Sequence, residues 1–224
     1  MARTDTLKRF AMSSSLEQIN LIMQLRKHGI HDTRVLRAME LVPREVFVDE
    51  AFVDQAYADS ALPIACGQTI SQPYIVAYMS EQLGVERDER VLEVGTGSGY
   101  QSAILSHLCA HVYTIERYKE LQKTASVNLQ KIGVSNVTTI IGDGWLGWPP
   151  HAPYDRIIVT AAAPEPPQAL LEQLKAGGRM ILPLGETRET QFITLIEKTE
   201  DAVEHQELLP VRFVPLVKGR VKRR

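Results

Sequence analysis

Cysteine is scarce in this 224-residue chain: Cys66 and Cys109 are the only two. Two thiols make no disulfide framework, which fits a reducing compartment. Charge of one sign is also lacking, since 25 Lys and Arg against 27 Asp and Glu leave a net charge of −2. Neutralising a nucleic-acid backbone needs a concentrated basic face, so nucleic acid is excluded as the main partner. The one basic cluster is Lys218 to Arg224, read as a solvated terminus. No apolar run approaches the length of a membrane span, and "MARTDTLKRFAMSSS" has no continuous apolar core of signal-peptide length. A cytoplasmic protein without a membrane partner is expected. The six histidines carry no metal-ligand spacing, because His28/His31 and His107/His111 lack accompanying Cys or carboxylate ligands. No metal is expected.

What is present is an ordinary globular composition, 44% hydrophobic and 23% charged, long enough to bury one core. Residues 1–60 read as an arm and a helical layer. Ser14 and Glu17 have capping-box spacing, Leu16, Ile19, Ile22, Met23 and Leu25 recur at helical intervals, and a second helix starts at Asp32. From Arg90 onward short strand-like runs alternate with amphipathic ones: "RVLEV", Tyr100 to Leu108, "HVYTIE", Tyr118 to Ile132, "NVTTIIGD", "YDRIIVTAAA", Pro167 to Leu174 and "RMILPLG". Parallel strands need such crossovers, so residues 90–185 predict a three-layer, doubly wound α/β core. In residues 186–224 the rhythm breaks. "QFITLIEKT" and "VRFVPLV" have no helix between them and are expected to pair antiparallel near the sheet edge.

The glycines of "VLEVGTGSGY", Gly95, Gly97 and Gly99, follow a predicted strand and precede a predicted helix, where the backbone turns sharply and approaches a ligand. On its own this spacing also suits a plain turn. Three acids narrow it. Glu93 lies inside the strand, where a carboxylate needs a partner. Glu116 ends the next strand, about twenty residues after the first glycine, placed to accept ribose hydroxyls. Asp143, in "GDG", ends the third and can reach an adenine amino group. Acid at three successive strand ends favours a nucleoside bearing positive charge, S-adenosylmethionine, over a dinucleotide. An NAD-binding module and a methyltransferase for RNA, DNA or a small molecule stay open as rivals. "VTAAAPEPP" lacks the Asn/Asp-Pro-Pro-Tyr/Phe type of motif used for exocyclic amines.

Together, "GQTISQPY", "VLEVGTGSGY", "GDGW", "YDRIIVTAAA" followed by Pro164 and Pro166, "GGRMILPLG" and "RFVPLVKG" closely resemble the protein-L-isoaspartate O-methyltransferase family, from about Ser15 to Gly219. The resemblance implies a Rossmann-like, S-adenosylmethionine-dependent methyltransferase fold with antiparallel C-terminal strands and an N-terminal helical extension. It also implies methylation of the free α-carboxylate of L-isoaspartyl residues in damaged peptides and proteins, leaving S-adenosylhomocysteine, by a chain expected to act as a monomer. Carried over, Gly95, Thr96, Gly97, Ser98 and Gly99 would line the methionine and ribose portion of the cofactor, Glu116 would hold the ribose, and Asp143 with Gly144 the adenine. Thr69, Ile70 and Ser71 fall on the active-site segment within residues 61–80, with Ser71 on the active-site serine. Val214 falls on the strand that holds the substrate peptide.

This chemistry suits small neutral donors. A carboxylate is already ionised at neutral pH, so no general base is required. Its attack on a sulfonium removes two opposite charges, so an arginine clamped on it would favour the ground state over the transition state. Thr69 and Ser71, two residues apart, project to one side of an extended segment and orient the carboxylate without that penalty. Cys66 lacks the His or Asn partner of a nucleophile. Trp145 and Trp148 read as packing for a loop beside the adenine. Removing Arg212 to Arg224 is expected to abolish peptide methylation and spare cofactor binding.

Overall fold

A computed structural model describes residues 16–186 and 189–219. Ser14 of the expected capping box, the arm before it and the basic residues from Arg220 onward lie outside the described residues. Helix α1 spans 16–27. Helix α2, Thr33–Leu41, starts where the Asp32 carboxylate accepts from the Arg34 N–H and buries Val35, Leu36, Ala38 and Met39. Two 3-10 turns, Arg44–Phe47 and Glu50–Gln55, lead to a small antiparallel hairpin of β1, Leu62–Ile64, and β2, Gln68–Ile70. Helix α3, Pro73–Leu83, follows at once. Its Pro73 is at the first helical position, where the missing N–H costs no hydrogen bond.

The main sheet contains β3 (Arg90–Val94), β4 (His111–Glu116), β5 (Val137–Ile141), β6 (Tyr154–Val159), β7 (Leu174–Leu184), β8 (Gln191–Lys198) and β9 (Val203–Val211), in the spatial order β5-β4-β3-β6-β7-β8-β9. The first five strands in chain order run parallel to one another, and β7 then pairs antiparallel with β8. Their crossovers carry α4 (Tyr100–Ser106), α5 (Lys119–Lys131) and α6 (Gln168–Gln173). One face packs against α1 to α4, through Val91, Val112, Ile158 and Ile181. The other face, through Leu92, Val94, Ile157 and Val159, is covered by Leu170 of α6 and by Trp148 of the loop after β5. Alternate residues of one strand serve the two faces, as a strand buried on both sides requires.

The carboxyl-terminal strands differ from expectation in one respect. β8 pairs antiparallel not with "VRFVPLV" but with the preceding segment, Val203–Val211. Residues 203–207 are exposed, because an edge strand here has little to cover it, so its sequence carries scant apolar alternation. Beyond Val211 the chain leaves the edge, and Pro215 makes an isolated parallel bridge to Ala162.

Candidate active site

The strand order reverses between β4 and β6, either side of β3, and in open α/β sheets the crevice at the carboxyl ends of such strands takes the ligand. The glycine loop is gripped there from both sides. Gly95 N–H donates to Ile115 O (2.9 Å), and Thr160, just past β6, donates its hydroxyl to Gly95 O (2.7 Å) and its N–H to Val94 O (2.9 Å). Gly95 has φ +101°, and a Cβ on it would lie 2.3 Å from Thr160 Oγ1. Only glycine fits. Thr96 turns its hydroxyl inward to Thr114 Oγ1, 2.7 Å away. The Glu116 carboxylate accepts from Gly97 N–H (3.0 Å) and Tyr118 N–H (2.9 Å), tying the loop to the end of β4.

Three adjoining cavities meet at Thr69 and Thr160. The first runs between the glycine loop, Glu116 and Tyr118 on one side and Val214 to Val217 on the other, with Gly144 in its wall. The second is lined by Ser71, Gln72, Arg212, Phe213 and Val214. The third lies under Ile70 and Ser71, against Thr96, Ser98, Tyr100 and Gln101. Of the residues expected from sequence, Thr69, Ile70, Ser71, Gly95, Thr96, Gly97, Ser98, Glu116, Gly144 and Val214 come together in these walls. Thr160 was missed. Its signal was positional: it ends the strand beside β3 opposite β4, a neighbour relation that only the sheet order supplies.

Three expected residues stand behind the walls. Gly99, φ +93°, begins α4, and a Cβ there would meet Ala125 Cβ of α5 at 3.2 Å, so its bareness serves helix packing. Glu93 is 0% exposed and faces α4, where Ser102 Oγ donates to Oε2, while Oε1 has no partner. Burial pushes its carboxyl up to about 8, against the pull of the Ser102 and Thr114 hydroxyls and with a smaller push from Glu116. A carboxyl so placed is largely neutral at pH 7, and the cationic or backbone-amide partner expected for it is replaced by a serine. Asp143 accepts from Trp145 N–H (3.0 Å) and Gly219 N–H (2.7 Å), and its neighbour Gly144 reaches the cavity.

The cavity suits a nucleoside. Ile115, Leu121 and Leu216 offer apolar walls, Glu116 offers carboxylate oxygens with lone pairs to spare for a diol, and a Cβ at Gly144 would press to 2.4 Å from Val94 Cγ1, so the base side is kept open by glycine. Among the described residues no group of three His, Cys, Asp or Glu side chains could hold a metal ion.

The segment after β9 reaches beyond the expected peptide site. Ala162 N–H donates to Val214 O (2.8 Å), Leu216 N–H to Ala162 O (2.7 Å) and Trp145 Nε1 to Leu216 O (3.0 Å), while Lys218 Nζ sits 4.7 Å above the Trp145 ring. Residues 214–217 therefore wall the first cavity, and Val214 walls the second as well. Removing residues from Arg212 onward would take away part of the first cavity's wall, so cofactor binding is expected to weaken rather than be spared. Trp145 packs under this strap, and Trp148 in the sheet core.

The family model for protein-L-isoaspartate(D-aspartate) O-methyltransferase matches residues 16–221. The chain is 61% identical over 208 residues to the protein-L-isoaspartate O-methyltransferase of Parvibaculum lavamentivorans, covering 92% of this chain and 94% of that one. It is 53% identical to the corresponding protein of Xanthobacter autotrophicus, covering 91% of this chain and 93% of that one. Among solved structures, a protein-L-isoaspartate O-methyltransferase superposes with TM-score 0.81 at 31% identity, over 88% of this chain and 65% of that chain. A Plasmodium falciparum structure described as a complex with S-adenosyl-L-homocysteine superposes with TM-score 0.78 at 27% identity, over 89% of this chain and 98% of that chain. With a matching family model over nearly its whole length and relatives of this identity, the chain belongs to the protein-L-isoaspartate(D-aspartate) O-methyltransferase family.

Proposed function

We propose that the protein uses S-adenosylmethionine to methylate the free α-carboxylate of L-isoaspartyl residues in damaged peptides and proteins, the step that starts their repair to L-aspartyl. One observation carries the reading: a glycine- and acid-lined cavity adjoins a hydroxyl-lined one, with Thr69 and Thr160 at the junction and Ser71 in the second wall. When bound, the cofactor supplies an electrophilic methyl group on a positively charged sulfur. Glu116 accepts hydrogen bonds from the ribose, Gly144 lies along the base with Asp143 fixing its loop, and Gly95, Thr96, Gly97 and Ser98 border the methionine portion. Glu93 and Gly99 support that loop from behind.

On the acceptor side, Ser71 and Thr69 donate hydrogen bonds that orient a carboxylate already ionised at neutral pH, so no side chain need remove a proton. Most of the acceleration then comes from holding reactants in line. The substrate peptide lies extended between the Thr69–Ser71 segment and Val214, its main chain supplying much of the affinity. We assign this activity to a monomer in the cytoplasm, acting on peptides and proteins and not on nucleic acid or membrane. No described helix is long and apolar enough to cross a membrane. The test uses methyl-labelled S-adenosylmethionine and two peptides that differ only in Asp or isoAsp at one site. Base-labile label is expected on the isoAsp peptide alone, and label on neither would refute the reading.

A further inference from the structure

We propose that Asp59 is a positioning residue for methyl transfer: its carboxylate supplies the cap that α3 lacks and so sets the direction of the Ser71 hydroxyl. The inference rests on the function proposed above and names a residue that lines none of the three cavities. Helix α3 begins two residues after Ser71, with Gln72 as N-cap and Pro73 next. Glutamine is a poor N-cap, and Gln72 makes no capping hydrogen bond of its own. Proline has no N–H, so the first orphan donor of the helix is Tyr74 N–H. It is taken by Asp59 Oδ1 at 2.8 Å, from fifteen positions earlier in the chain.

The other oxygen, Oδ2, accepts from Gln72 Nε2 at 3.0 Å. One carboxylate thus grips the chain on both sides of Pro73. On the other side of Ser71, Ile70 is held in register opposite Leu62 by the β1–β2 hairpin. Ser71 is the residue between two fixed points, and its backbone has little freedom left. A negative charge at the start of an eleven-residue helix is also favoured by the helix dipole.

Asp59 is itself held. The Arg44 guanidinium, 0% exposed, donates from Nε to Ala56 O (2.7 Å) and from Nη2 to Ser60 O (3.3 Å), bracketing Asp59 on both sides in sequence. Arg44 lies 4.9 Å over the ring of Tyr100, which lines the third cavity, and Tyr57 donates its hydroxyl to Glu45. A buried arginine in "VPREVF" therefore holds the loop that holds the segment bearing the acceptor hydroxyls. The arrangement keeps the Asp59 carboxylate out of the acceptor cavity, whose wall carries the neutral donors Thr69, Ser71 and Thr160 together with Arg212.

The experiment compares the full-length wild type with Asp59→Ala and Asp59→Asn, measuring kcat and KM on the isoAsp peptide and S-adenosylhomocysteine affinity by calorimetry. Asp59→Ala is expected to lower kcat by about ten- to a hundredfold, the scale of a misplaced reacting group, with cofactor-product affinity within about twofold. Asp59→Asn keeps an oxygen for Tyr74 N–H, and a turned Gln72 amide can meet its NH2, so kcat returns to within about threefold. In a Ser71→Ala background, Asp59→Ala is expected to cost little more, because it acts through Ser71. Unchanged kcat in Asp59→Ala overturns the inference. So does an undiminished effect in the Ser71→Ala background, or a parallel fall in S-adenosylhomocysteine affinity. If Asp59→Ala does not fold, Asp59→Glu keeps the charge but moves it by a methylene; loss of kcat there supports the inference and a wild-type rate overturns it. A wild type that labels neither peptide would sink the functional reading and this inference together, whereas variants at wild-type rate sink the inference alone.

Discussion

Replacing Glu93 by Gln is expected to change the pH dependence of stability, and the direction follows from burial. The Glu93 carboxyl is 0% exposed, one oxygen has no partner, and burial raises it from an ordinary 4.5 to about 8, with Glu116 adding like-charge repulsion. A carboxyl raised on folding keeps, in the native state, a proton that the unfolded chain has released between those two values. The contribution of Glu93 to native stability is then highest below the unfolded value and falls as pH rises toward 8, at about 1.4 kcal/mol per pH unit. From pH 5 to pH 8 that amounts to about 4 kcal/mol, a ceiling because relaxation around a buried charge lowers its cost. Glu93→Gln stays neutral throughout. Its amide oxygen can still accept from Ser102, while its NH2 occupies the place of the unpartnered oxygen, which adds an offset that does not depend on pH. Urea unfolding of both proteins at about pH 5.5, 7 and 8.5 cancels every other titrating group in the difference. The variant should gain on the wild type by more than about 1 kcal/mol from the lowest to the highest pH. A difference constant within about 0.5 kcal/mol would refute the buried, protonated carboxyl.

Other perturbations follow from the same geometry. Gly95→Ala places a Cβ 2.3 Å from Thr160 Oγ1 at φ +101°; strain of about 2–4 kcal/mol, if it falls on the bound state, should weaken S-adenosylhomocysteine binding by about thirtyfold to several-hundredfold, and a calorimetric Kd within about threefold of wild type would contradict it. Ser71→Ala should lower turnover by about one to two powers of ten without altering cofactor affinity; unchanged initial rates on the isoAsp peptide would remove Ser71 from the mechanism. Trp145→Phe deletes the 3.0 Å hydrogen bond to Leu216 O while keeping a ring under Lys218. Loss of about 1 kcal/mol from the strap predicts several-fold faster S-adenosylhomocysteine dissociation in stopped-flow, and an unaltered rate would mean that residues 214–217 do not retain the ligand. Truncation after Val211 should abolish methylation and weaken S-adenosylhomocysteine binding together, with full-strength binding as the contrary result.

Local physics made much of the fold legible before any coordinates. The alternation from "RVLEV" to "RMILPLG", the glycines that need a positive φ and the acids at strand ends are properties of short segments, and each holds its expected place in the order of elements. The chemistry of "GQTIS" was less legible, since a polar stretch leading into a helix at Pro73 reads equally as a turn. Only its resemblance to a family separated the two. β9 escaped because an exposed edge strand needs no apolar face, whereas "VRFVPLV" has the pattern of a strand but leaves the sheet edge after Val211 to cover the crevice. The fate of Glu93 was equally invisible: whether a carboxylate in a strand meets a ligand or a serine depends on which helix packs over it.

By itself, then, the sequence determined the class of sheet, the loop that turns over its edge, the nucleoside-like acids and, through its motifs, the family. Tertiary structure alone decided that Thr160 locks Gly95, that Val214 walls two cavities at once and that Asp59, in a loop held by Arg44, caps the helix that follows Ser71. Those are contacts between residues far apart in the chain. Their partners are chosen by sheet order and packing, which no spacing within a single segment encodes.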